Sequence, residues 1–87
     1  MGKSPLPQKI ASQLISIIER YSGENETILP IPLTRQEIAD AVGASVESVI
    51  RIMSDWSRKG YISTSDQLIR IERMDKILEV IKGIEPG

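Results

Sequence analysis

"TRQEIADAVGASVESVIRIMSDWSRKG", residues 34–60, holds two helices and the turn between them. Thr34 and Glu37 have the spacing of a capping box, in which the threonine hydroxyl accepts from the amide of the third helical residue and the glutamate accepts from the amide of the cap. A helix therefore starts here, with Ile38, Ala39 and Val42 on its buried side. Gly43 ends it, because a sharp exit needs a positive φ that glycine adopts without steric cost. Only Ala44 separates that glycine from Ser45, a second cap residue. Short helices joined so tightly through a glycine read as a helix-turn-helix.

The second helix runs from Val46 to about Lys59 and stops at Gly60. At about 100° per residue, Val49, Ile52, Met53 and Trp56 share one face, and Glu47, Arg51 and Ser54 share the opposite one. Trp56 is expected in the core. Ile50 falls about 110° from the centre of the apolar stripe, too far round to be fully buried.

Toward the N-terminus, Ile10, Leu14, Ile17 and Ile18 form an apolar stripe on a helix over 7–21, which Gly23 stops before the polar loop "SGENET". "ILPIPL", residues 28–33, contains two prolines, which forbids helix and leaves at best a short edge strand. Toward the C-terminus, "YIST" at 61–64 and "LIRIE" at 68–72 flank "SDQ" and read as a hairpin, although the turn lacks an Asn-Gly pair. A last helix over 74–81 carries Ile77, Leu78 and Ile81 at helical spacing and stops at Gly83. The expected fold is mainly α with a small antiparallel β-sheet, a winged helix-turn-helix. Residues 1–27 form a helix and loop that lead in, and residues 28–87 form the winged domain itself.

Composition narrows function. The chain has 87 residues, enough for one core, and that core is aliphatic because there is no Phe and one Trp. Scarce aromatic rings disfavour single-strand nucleic-acid binders, which stack bases on them. Without Cys or His the usual nucleophile–base pairs and most zinc ligands are missing, so neither an enzyme nor a metal site is expected, and no cofactor is expected in this chain. The formal charge is −1, and residues 28–76 hold seven acids and seven bases, so no overall positive field points to a polyanion. No apolar run has the length of a membrane span, and the N-terminus lacks a signal-peptide core. A soluble, cytoplasmic protein is expected.

From Leu33 to about Ile81 the chain resembles the C-terminal DNA-binding domain of the Crp/Fnr family of bacterial transcription regulators. The match lies in "LTRQEIADAVGASVESVIRIMSDWSRKGYI": a Thr-Arg-x-Glu-Ile-Ala start, a glycine turn, Glu-x-x-x-Arg in the second helix, and a Gly-Tyr-Ile exit. The resemblance implies that Arg51 reads a guanine and Glu47 the paired cytosine, chemistry that suits a guanidinium on O6/N7 and a carboxylate on N4. Val46 is similar to the Fnr-type branch, which implies a half-site of the TTGAT kind. Fnr has Ser where Ile50 stands, and an isoleucine there would pack on a thymine methyl. Val46 and Ile50 complete the expected base contacts.

Thr34, Arg35, Ser45, Ser48 and Ser54 are the expected phosphate contacts, the caps because a helix N-terminus presents free amides, Arg35 by resemblance. The wing offers Thr64, Ser65 and Gln67, with no base at its tip and Asp66 unfavourable beside phosphate, so wing contacts are expected to be few. The bland alternative for Glu47 and Arg51 is an i, i+4 ion pair on a solvated face, worth about 0.2–0.5 kcal/mol. The bland alternative for Arg35 is a solvated charge.

Family members carry a β-roll sensor and a long dimerisation helix ahead of this domain, which do not fit before Leu33, so the chain reads either as an excised fragment, the reading favoured by the helix at 7–21, or as a solitary domain. Residues 7–21 resemble the helix leading out of the dimerisation helix. The partners implied are double-stranded DNA with inverted-repeat half-sites and, in the full-length protein, a second copy, with no membrane. A rival reading is a winged-helix protein-interaction module, suggested by the neutral charge and by Ile50.

Overall fold

Both caps of the helix-turn-helix form as expected. In the computed structural model, which describes residues 5–21, 27–29 and 31–84, Thr34 Oγ1 accepts from the Glu37 amide at 3.0 Å and Glu37 Oε1 accepts from the Thr34 amide at 2.9 Å. The capping box starts helix α2, Arg35–Val42. Gly43 leaves it at φ 74, and the following amide, that of Ala44, donates back to the Ala39 carbonyl at 3.0 Å. Ser45 Oγ then accepts from the Ser48 amide at 3.2 Å and opens α3, Val46–Arg58. Each interaction satisfies a helix-end group that has no partner inside its own helix.

The remaining elements are α1, Leu6–Tyr21, strands β1, Ile62–Ser65, and β2, Leu68–Ile71, and α4, Met74–Ile81. α1 packs on α2 and α4, α2 packs on α3, and α3 packs on β1. One apolar cluster joins them: Ile10, Leu14 and Ile18 from α1, Ile38 from α2, Val49, Met53 and Trp56 from α3, and Ile77 and Val80 from α4. Trp56 is the largest fully buried side chain, and its indole Nε1 finds no acceptor among the described residues.

The apolar stripe of α4 differs from the sequence reading. Ile77 is buried and Ile81 partly so, but Leu78 is 40% exposed and Val80 takes the inner position. Leu78 lies about 100° from Ile77 around the helix, on the far side from Val80, so packing against α1 leaves it at the rim. The stop expected at Gly23 lies outside the described residues.

The hairpin is antiparallel with Ile62 opposite Ile71 and Ser65 opposite Leu68. β1 lies one residue later than the sequence reading, and β2 starts where expected but ends one residue earlier, so a two-residue turn joins Ser65 to Leu68. Asp66 and Gln67 fill it at φ 54 and 67. Positive φ at both central residues is what a tight hairpin turn of matching twist requires, so the geometry forms without the usual Asn-Gly pair. On the other edge of β2, the Leu29 amide donates to Ile69 O at 2.8 Å and the Ile71 amide to Thr27 O at 2.7 Å. Among the described residues, the "ILPIPL" segment forms a single bridge, Ile28 to Arg70. Prolines have no amide hydrogen with which to extend a ladder.

Gly43 matters to this arrangement through its left-handed backbone conformation. A Cβ there would meet nothing within 4 Å, so the cost of a side chain is confined to the backbone conformation. Gly43→Ala is expected to lower the unfolding free energy by about 1–2 kcal/mol, and Gly43→Asn by less, because asparagine tolerates the left-handed region. Urea denaturation of the three proteins checks the order.

Candidate nucleic-acid interface

Helix α3 turns its apolar side to the core and leaves the opposite stripe uncovered. Glu47, Arg51, Ser54 and Arg58 are all exposed and fall within an arc of about 60°. Glu47 and Arg51 form no ion pair with each other or with any other described residue. An exposed i, i+4 pair gains too little to hold two long side chains together, so the carboxylate and the guanidinium project separately. Beside them Ile50 is 46% exposed, an apolar side chain with no covering group, whereas Val46 is half-buried against the core.

The cap residues divide their hydrogen-bonding capacity. Ser45 Oγ accepts from the Ser48 amide and donates to Ser48 Oγ at 3.0 Å, so Ser45 spends its hydroxyl hydrogen within the chain. Ser48 Oγ, as the acceptor of that bond, keeps its own hydrogen to donate. Thr34 Oγ1 acts as the acceptor of its capping box, which leaves its hydrogen free in the same way.

Arg35 is neither a free solvated charge nor isolated. Its Nη2 donates to Thr64 Oγ1 at 3.3 Å, tying the first residue of α2 to the wing. The side chain is partly buried, and that desolvation holds its pKa below the ordinary arginine value. Thr34, Arg35, Thr64 and Gln67, with Pro32 and Leu33, line one surface recess of about 320 Å3. Two of the wing residues expected from sequence thus stand beside Thr34 and Arg35, while Ser65, exposed at the end of β1, does not line the recess.

A second depression of about 420 Å3 lies along α3 and is lined by Arg51, Ile52, Ser54, Asp55 and Arg58. Asp55 and Arg58 were not among the sequence candidates, although extending the same angular arithmetic by one turn puts Arg58 on the stripe of Arg51. One oxygen of Asp55 binds Arg58 and the other binds Lys59 Nζ at 3.0 Å. The pairing of Asp55 is part of a wider pattern. Of the bases between residues 28 and 76, Arg58, Lys59, Arg70, Arg73 and Lys76 all stand in ion pairs. Arg35 and Arg51 do not. No helix among the described residues is long and apolar enough to cross a membrane.

A family model for the Crp-like helix-turn-helix domain matches residues 8–80. The chain belongs to that family. It is 30% identical over 66 residues to the nitrogen fixation regulation protein FixK of Rhizobium meliloti, a match covering 76% of this chain and 30% of that protein. It is 28% identical over 74 residues to a CRP-like cAMP-activated global transcriptional regulator of Mycobacterium tuberculosis, covering 83% of this chain and 33% of the relative. The chain therefore spans about a third of the length of these relatives, both of which are regulators rather than enzymes. Among solved structures, a CRP/FNR-family transcriptional regulator from Thermus thermophilus superposes with a TM-score of 0.75 at 24% identity, over 91% of this chain and 41% of that one. FixK2 from Bradyrhizobium japonicum does so with a TM-score of 0.73 at 17% identity, over 99% and 41%. At these identities the structural likeness establishes the winged helix-turn-helix fold.

The Arg35–Thr64 link gives a test of how the wing is held. Thr64→Val keeps the side-chain shape and removes the acceptor, so stability is expected to fall by less than about 1 kcal/mol while amide exchange at Asp66 and Gln67 speeds up. Unchanged exchange would show that the link does not restrain the hairpin.

Proposed function

We propose that this domain binds double-stranded DNA sequence-specifically, as the reading head of a transcription regulator, with α3 in the major groove. The observation that carries the reading is the uncovered stripe of α3, on which Glu47 and Arg51 project side by side without an intramolecular partner. An α-helix with side chains is about 10–12 Å across, and the major groove is about 12 Å wide. In that groove the Arg51 guanidinium donates to O6 and N7 of a guanine, and the Glu47 carboxylate accepts from N4 of a cytosine. Ile50 and the exposed part of Val46 supply apolar contact to thymine methyls at the edge of the same half-site.

Arg35, the hydroxyls of Thr34, Ser48 and Ser54, and the free amides at the starts of α2 and α3 are the backbone anchors in this reading. Ser45 joins them through its amide rather than its hydroxyl, which is already committed to Ser48. Thr64 and Gln67 reach the backbone beside Arg35, and Ser65 contributes at the hairpin tip. With few anchors and no overall positive field, one copy binds weakly and with a shallow dependence on salt. Useful affinity calls for a second copy in the full-length protein, related by a two-fold axis, which sets two inverted half-sites about one helical turn apart.

Selection from random duplexes with an artificially dimerised form of the domain tests the reading, and enrichment of an inverted repeat is expected. Absence of enrichment at low salt would favour a protein-interaction role for the same surface. On the selected site, Arg51→Ala is expected to cost about 1–3 kcal/mol of binding and to relax discrimination at one G·C pair. An Arg51→Ala protein that ranked sequences as the parent does would remove Arg51 from the reading edge.

A further inference from the structure

Asp55 holds two cations where base reading gives no reason for an acid. It lies in the last turn of α3, where a negative charge works against the helix dipole, so what it adds to helix stability is confined to its pairs with Arg58 and Lys59, each worth only about 0.2–0.5 kcal/mol. Its carboxylate is the lone acid of the depression that also holds Arg51, Ser54 and Arg58. Each of its oxygens is taken by a base from the C-terminal side, Arg58 and Lys59, and neither is taken by Arg51, one turn before it. Lys59 lies about 100° round the helix from Arg58, with its ammonium 5.6 Å from the Tyr61 ring centroid, and is turned off the reading stripe. Arg58 is on that stripe, about 10 Å further along the axis than Arg51, and its side chain is 75% exposed.

Resting on the DNA-binding reading above, we propose that Asp55 is a specificity-determining residue: it restrains Arg58 in an intramolecular pair and so keeps an otherwise available phosphate contact out of the sequence-independent part of DNA binding. With α3 in a groove, a guanidinium two turns beyond Arg51 lies level with the sugar-phosphate wall, where it would bind any sequence equally. Held by Asp55, its charge is largely cancelled at long range. Only a duplex that brings Arg51 and Glu47 fully into register brings a phosphate near enough to compete for Arg58. The exposed pair is weak enough to be exchanged in this way. Asp55 therefore lowers affinity for wrong sequences more than for the right one.

The test titrates the full chain against a scrambled duplex and against the selected site, over a series of potassium chloride concentrations. Asp55→Asn and, as a second variant should the first fold poorly, Asp55→Ser are expected to bind the scrambled duplex several-fold more tightly. The slope of log K against log salt should steepen by about 0.9, the value for one added phosphate contact, and the ratio of specific to scrambled affinity should fall. The gain should vanish in Asp55→Asn/Arg58→Gln. It should not be matched by Glu79→Gln, which breaks a similar pair with Lys76 on α4, away from α3. A slope unchanged in both Asp55 variants, a gain that persists without Arg58, or an equal gain from Glu79→Gln would each overturn the proposal. Failure of the parent chain to bind either duplex at the lowest salt would instead overturn the DNA-binding reading beneath it.

Discussion

The left-handed turn at Gly43 is the constraint on which the rest of the molecule depends. α2 and α3 each bury one stripe in the same small core, and they can do so only if the chain reverses direction within the space of Gly43 and Ala44. The Ala44 amide closes the end of α2 on Ala39, and one residue later Ser45 opens α3. Because the crossing is fixed so tightly, burying Val49, Met53 and Trp56 leaves no freedom in where Glu47 and Arg51 point. The outward stripe of α3 is the geometric complement of its inward one.

That dependence explains which parts of the structure were legible in the sequence. The capping box at Thr34 and Glu37, the glycine turn and the two-sided α3 are local patterns, set by spacings of three and four residues, and they form as read. The same locality made the exposed stripe of α3 visible, since Glu47, Arg51 and Ser54 needed only the helical period to be placed together. The α4 stripe was legible only in part. Ile77, Leu78, Val80 and Ile81 are all apolar, and the choice between Leu78 and Val80 is made by the position of α1, more than fifty residues earlier in the chain.

What the sequence did not show depends on distant partners or on competition among near ones. The bond from Arg35 to Thr64 joins residues separated by 29 positions, and nothing in either segment marks it. Residues 28 and 29 were recognisable as extended chain, but Thr27 fell in the polar loop, and nothing marked either Thr27 or Leu29 as a partner of β2 at Ile71 and Ile69. Asp55 had three bases within one helical turn, Arg51 before it and Arg58 and Lys59 after it, and spacing rules permit all three. The fold chose the two on the C-terminal side, which left Arg51 free.

The distribution of charge follows from those choices and bears directly on how a neutral surface can recognise a polyanion. Five of the bases between residues 28 and 76 sit in ion pairs, each too exposed to add much stability. Their effect is instead on the field: paired bases attract a duplex little at a distance, so sequence-independent attraction is small. The two bases left out of ion pairs are Arg51, in the middle of the α3 stripe, and Arg35, restrained by the neutral hydroxyl of Thr64 at the mouth of the wing recess. On the proposed DNA-binding reading, a surface built this way gains little from phosphates in general and much from the few positions where a guanidinium meets its matching group. Balanced overall charge, which argued against DNA when only totals were counted, is compatible with DNA reading once the charges are placed, and favours discrimination over raw affinity.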